Sequence, residues 1–259
     1  MDVVVLAVVV DATKFITASD ASKEAFKTAT LLKTLHINAI IIGEIGVGKK
    51  SLAKYILPNA SVLDASNFNE LLTTLESSEE LIITNLDKSP NIKTTLDYIS
   101  KNSVRIVATS KQFLENEYID DIFSIKLPIP PLSQREEDVK ALIDKFIEDA
   151  IGMFGQGDDF NVHNFRADLT QNAKSLKRQV IIKYLLQDIK SSELMDIFEN
   201  FLYDKMGSHN DYKEFLYLYE VPLIRAGLKK YKSQLQLSDK LGLNRNTLRK
   251  KIADNQQYL

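Results

Sequence analysis

The chain has 259 residues, 44% of them hydrophobic, enough to bury a full core in one or two domains. It contains no cysteine, which excludes disulfides and thiolate metal sites and fits a reducing cytoplasm; His36, His163 and His209 are too scattered to form a ligand set. The formal charge of −2 conceals an asymmetry, because residues 221–259 carry nine Lys or Arg against two Asp, leaving the rest of the chain acidic.

Residues 1–10 form a β-branched apolar run that predicts a buried strand. Asp2 stands where a signal peptide needs positive charge, and Asp11 closes the run well short of a membrane span, so a cytoplasmic protein without membrane association is expected. Residues 19–35 carry Ala21, Ala25, Phe26, Ala29, Leu32 and Leu35 near helical spacing, with Asp20 as the expected cap. Residues 37–42 predict a strand, followed by Gly43-Glu-Ile-Gly-Val-Gly-Lys-Lys-Ser51 and a helical stretch. Glycines let backbone amides close around phosphate, a helix N-terminus adds positive potential, and Lys49 reaches the terminal phosphates. The pattern departs from a strict phosphate loop, since Lys50 follows Lys49 where Ser or Thr is usual.

Further strands are predicted at 81–84 and 104–108, and strands separated by helices imply a parallel α/β sheet. Pro128, Pro130 and Pro131 then break the pattern. From Arg135 the chain reads as helical, with Val139, Leu142, Ile143 and Phe146 on one face. Gly152, Gly155 and Gly157 interrupt it, and 176–189 is helical again. Residues 194–206 and 212–230 predict two longer helices, followed by two short ones.

The two short helices have the parts of a helix-turn-helix. Ser238 is the small residue where helices cross, and Gly242 makes the turn. Leu241, Leu243, Leu248 and Ile252 lock the second helix down. Leu248 and Ile252 face inward, which leaves Arg245, Arg249 and Lys250 outward, where cations meet phosphates or guanine edges. Asn244 suits the helix N-cap.

Leu241-Gly-Leu-Asn-Arg-Asn-Thr-Leu-Arg-Lys-Lys251 resembles the C-terminal domain of the nucleoid protein Fis and the matching domain of sigma-54-type enhancer-binding regulators. Glu220-Val-Pro-Leu-Ile-Arg resembles the helix preceding the motif in Fis. The resemblance implies that Asn244, Arg245, Thr247, Arg249 and Lys250 contact double-stranded DNA, and that the two longer helices make a homodimer. Leu237 departs from it, since the family usually carries alanine there.

Gly43-Glu-Ile-Gly-Val-Gly-Lys-Lys is similar to the G-E-S-G-T-G-K-E loop of the same regulators, which are AAA+ proteins. Two further segments resemble that family: Phe15-Ile-Thr-Ala-Ser-Asp-Ala, at the opening of its ATPase core, and Leu127-Pro-Ile-Pro-Pro-Leu-Ser-Gln-Arg-Glu-Glu-Asp-Val139, at its junction into the lid. The likeness implies a parallel-sheet AAA+ core over 1–132, a helical lid over 133–191 and an all-α Fis-type domain over 192–259. It assigns Gly43, Glu44, Gly46, Gly48, Lys49, Lys50 and Ser51 to nucleotide. ATP or ADP would be the ligand, and a vestigial turn with no ligand stays open beside it.

Three departures bear on activity. Family members end the second strand with Asp-Glu, for Mg²⁺ and for the attacking water; the aligned positions hold Thr84 and Asn85. A shifted register offers Asp87, but then Lys88 takes the glutamate's place. Residues 51–80 contain no glycine, so the loop that grips sigma-54 is missing, and residues 118–126 contain no arginine finger. Lys177 is the expected nucleotide-sensing cation of the lid, with Arg178 beside it, and Ser110 takes the first-sensor position. Loss of a base costs about 10²–10⁴ in rate and loss of a trans arginine about 10³–10⁵. The expectation is therefore a dimeric, sequence-specific transcription regulator with no catalytic residue, no metal site and no sigma-54 contact. Met1 to Thr13 is too short for a receiver domain, so none is expected ahead of Phe15. A sigma-54 activator that hydrolyses ATP and a Fis-like architectural protein are the alternatives.

Overall fold

A computed structural model of the protein describes residues 15–113, 117–155 and 165–259. The strand expected at 1–10, together with Gly157 and His163, lies outside them. The chain divides into two compact units, Met1–Asp188 and Ile189–Leu259. Among the described residues no helix is long and apolar enough to cross a membrane.

The first unit is built on five parallel strands: β1 (Ala39–Ile42), β2 (Ser61–Asp64), β3 (Glu80–Thr84), β4 (Arg105–Ser110) and β5 (Ile125–Pro128), in the order β2-β3-β4-β1-β5. Every residue of β1 is buried, as expected of a central parallel strand covered on both faces. Its side chains alternate between two cores. Ala39 and Ile41 join Phe15 and helices α1 (Asp20–Thr34) and α2 (Lys49–Ile56). Ile40 and Ile42 join α3 (Phe68–Ser77), α4 (Ile92–Asn102) and Phe123 at the end of α5 (Glu117–Ile122). A helical pair, α6 (Glu136–Phe154) and α7 (Ala173–Leu186), completes the unit around Phe146, Leu176 and Val180.

The sequence reading passed over β2 and β5, the two edge strands. An edge strand is short and buried on one side, so it carries no continuous apolar run; β5 even ends in Pro128, which only an edge tolerates. The cap of α1 is Ser19 rather than Asp20, its hydroxyl accepting from the Ser22 amide at 3.3 Å.

The second unit holds α8 (Ser191–Tyr203), α9 (Asp211–Phe215), α10 (Tyr217–Tyr231), α11 (Gln234–Lys240) and α12 (Arg245–Asp254). The helix expected over 212–230 is thus two, interrupted at Leu216, and α10 carries Pro222 inside it. Its core is small: Ile224, Leu237 and Leu248 are buried, with Leu228, Tyr231, Leu241 and Ile252 against them. Leu237 fits because α10 presents Gly227, where an added Cβ would lie 2.2 Å from a Leu237 methyl. Gly227→Ala is expected to destabilise this unit by about 1–2 kcal/mol, overpacking outweighing the better helix propensity of alanine. Chemical denaturation followed by circular dichroism checks it.

Candidate functional site

Two places collect chemistry, one in each unit. In the second unit, α11 is capped by Ser233 and is followed by a turn where Gly242 adopts φ +63°, a left-handed conformation that favours glycine. Ser238 is buried at the helix crossing; its hydroxyl donates to Leu235 O at 2.8 Å, and its carbonyl accepts from the Leu243 amide at 2.9 Å. Asn244 caps α12, its side-chain oxygen accepting from Asn246 N at 2.9 Å, which leaves its amide NH₂ free to donate.

Leu248 is fully buried and Ile252 packs beside it. On the other side Asn244, Arg245, Thr247, Arg249 and Lys250 are all exposed. None of the three cations is held in an ion pair, whereas Lys251 is turned to Glu220 on α10 and is half-buried. The inner side of α12 therefore fixes the helix and the outer side offers an amide, a hydroxyl and three unpaired cations.

In the first unit, β1 runs directly into the glycine loop. Gly48, at φ +105°, opens α2 with no side-chain cap, so first-turn amides stay available to an anion. Lys49 folds back over the loop, donating to the carbonyls of Gly43 and, at 2.7 Å, Glu44. Burial lowers its pKa, against the raising effect of the Asp87 and Glu44 carboxylates. The loop is also tied to the start of α7. Asn172 is buried in a positive-φ conformation, and its NH₂ donates to Glu44 Oε2 and Ile45 O, both at 3.0 Å. Its Oδ1 accepts from Leu132 N at 2.7 Å, and the Ala173 amide donates to Gly46 O at 3.1 Å.

Beside the loop lies a cavity of about 280 Å³, lined among others by Phe15, Gly46, Ser51, Arg135, Phe146 and Lys177. Lys177 is held by Asp149 at 3.2 Å, and Lys174 also borders the cavity. Arg178 lines a different depression beside α7. Arg135 is buried against Asp138 at 3.2 Å and donates to Val47 O at 2.9 Å, so the loop rests on the junction.

The end of β3 carries no acid. Thr84 donates to Leu63 O, and the Asn85 NH₂ donates to Asp64 Oδ2 at 2.6 Å. Asp64 belongs to the neighbouring strand, directly opposite Thr84 in register. Burial pushes the Asp64 carboxyl up, but hydrogen bonds from Ser66, Asn85 and Thr84 outweigh it and hold the pKa below the ordinary value. Neutral Thr84 and Asn85 do not suit a divalent cation. Among the described residues no group of three or more His, Asp or Glu gathers at a metal-holding spacing. Asp87 falls beyond the strand, where its carboxylate accepts from Lys111 N at 3.0 Å. Residues 51–80 pass through α2, β2 and α3 with only short turns between them.

Sequence reasoning missed Asp64 and Asn172, since neither stands in a recognisable pattern; Arg135 and Asp138 stand inside the proline-rich segment 127–139, which by itself assigns them no role. Asn85→Asp is expected to crowd a second carboxylate onto Asp64, so that the pair shares one proton and one pKa rises. A raised folded-state pKa lowers stability as pH increases through it. The variant should match the parent near pH 4 and fall about 1–3 kcal/mol below it at pH 7, as thermal melts across that range would show.

The first unit is thus an α/β fold in which a glycine loop follows an inner strand of a five-stranded parallel sheet, with the α6–α7 pair beside it. No protein-family profile matches the chain, and no curated protein matches it by sequence. Among solved structures it is similar to NtrX from Brucella abortus. In complex with ATP, that protein gives a TM-score of 0.56 at 15% identity, over 93% of this chain and 69% of that one. In complex with ADP, it gives 0.57 at 14% identity, over the same shares.

Proposed function

We propose that the protein is a sequence-specific regulator of transcription that binds double-stranded DNA as a homodimer through a Fis-type helix-turn-helix. In this reading 1–132 is a degenerate AAA+ core, 133–191 its lid and 192–259 the dimerisation and DNA-binding domain, in a cytoplasmic protein. The observation that carries it is α12: Leu248 locks the helix inward while Arg245, Arg249 and Lys250 stand exposed and unpaired. Asn244, Arg245, Thr247, Arg249 and Lys250 contact base edges and phosphates in the major groove.

The core keeps a nucleotide cradle in Gly43, Glu44, Gly46, Gly48, Lys49, Lys50 and Ser51. Its uncapped α2 and adjoining cavity suit ATP or ADP, the ligands of the two NtrX complexes. Hydrolysis and sigma-54 engagement are absent from this reading, because Thr84 and Asn85 supply neither metal ligand nor base, and no loop is inserted between α2 and β3.

Arg245→Ala should weaken specific binding about 5- to 150-fold, the worth of one bidentate base contact. A titration with labelled operator DNA, selected by genome-wide occupancy, measures it. Unchanged affinity would remove α12 from the interface, and ATP turnover coupled to sigma-54-dependent open complexes would replace the reading with an activator. A footprint of broad coverage rather than one palindrome would favour an architectural role.

A further inference from the structure

The residues that follow α12 do more than end the domain. The inner side of this ten-residue helix has one fully buried side chain, Leu248, with Lys251 and Ile252 half-buried. A helix this short is not stable by itself. Its N-terminal end is capped by Asn244 and tied to α11 through the Leu243 amide, which donates to Ser238 O. Its C-terminal end is tied to α10 by a separate set of contacts. Lys251 reaches Glu220, and Asn255, itself buried, donates from its NH₂ to Lys251 O at 3.0 Å. A 3₁₀ turn over Gln256–Tyr258 then brings the Tyr258 ring onto Tyr217, with centroids 5.0 Å apart and planes 11° from parallel. Arg225 donates to the Tyr258 carbonyl.

We infer that Tyr258 is a positioning residue for DNA recognition: stacked on Tyr217 and held by Arg225, it sets the orientation of α12 before DNA arrives. The inference rests on the DNA-binding reading of α12. It makes the exposed Arg225, one of the nine cations of the basic end, an intramolecular brace rather than a phosphate contact. Base recognition needs side chains held within a fraction of an ångström, whereas phosphate contact by long flexible cations tolerates a loosened helix. Loss of the brace should therefore cost specificity while leaving non-specific affinity unchanged.

The test compares Tyr258→Ala, Tyr258→Phe and the parent full-length chain on operator DNA and on unrelated duplex across a salt series. Tyr258→Ala should lose about 2- to 12-fold on the operator, the worth of a stacked aromatic pair. Unrelated duplex and the salt slope should not change. Tyr258→Phe, which keeps the ring, should behave as the parent. Hydrogen exchange without DNA should be faster over residues 249–254 in Tyr258→Ala alone. Equal operator affinity in Tyr258→Ala, or equal impairment in Tyr258→Phe, overturns the role; unchanged exchange overturns the brace itself. A parent protein that ignores duplex DNA defeats the DNA-binding reading, and this role with it, whatever the exchange shows.

Discussion

Asp138→Ala is expected to cost the α/β unit about 3–5 kcal/mol, a large part of the roughly 5–15 kcal/mol that keeps a domain folded. Asp138 is 1% exposed, and both carboxylate oxygens are fully used. Oδ1 accepts from Ala18 N and Ser19 N at 2.8 Å and from Ser22 Oγ at 2.9 Å. Oδ2 accepts from Ser19 Oγ at 2.9 Å and faces the Arg135 guanidinium. Burial already pushes the Arg135 pKa down, and Asp138 is what opposes it. Alanine would leave a buried cation without its counter-charge and the Ala18 and Ser19 amides without an acceptor, beside the α1 cap. Asp138→Asn should be nearly as damaging, because its NH₂ would point a donor at other donors. Urea unfolding followed by circular dichroism measures this. A loss below about 1 kcal/mol would mean that water replaces the carboxylate and that the site is wetter than its burial indicates.

The second large effect concerns α8. None of its residues is buried, yet Leu194, Met195, Ile197, Phe198 and Phe201 line its sides, and Phe198 is among the residues bordering an apolar depression of about 870 Å³ shared with α10. A 13-residue helix with that much exposed apolar surface is marginal in water unless something covers it. In the proposed dimer a second copy of the chain covers it. Phe198→Asp should then give a monomer and lower operator affinity about 10²–10⁴-fold, because two half-sites no longer bind as one linked event. Sedimentation velocity and DNA titration on the same sample read both effects. A Phe198→Asp protein that stays dimeric and keeps its affinity would place the subunit contact elsewhere.

The sequence by itself determined whatever depends on a contiguous stretch. The central strands β1, β3 and β4 are legible as apolar runs because the sheet buries them on both faces. The glycine loop and the α11–α12 pair are legible because turn glycine, cap and apolar period all lie within about twenty residues. Only the tertiary structure decided the rest, because long-range polar partners leave no period in the sequence. Asn172 meets Glu44 across 128 residues, and Asp138 meets Ser19 across 119. The amide of Asn85 is engaged by Asp64 from the next strand, a pairing fixed by sheet register rather than by any local pattern. Edge strands β2 and β5, the Gly227–Leu237 contact and the return of Tyr258 onto Tyr217 follow the same rule. Each depends on which surfaces the folded chain brings together, and neither propensity nor spacing encodes that.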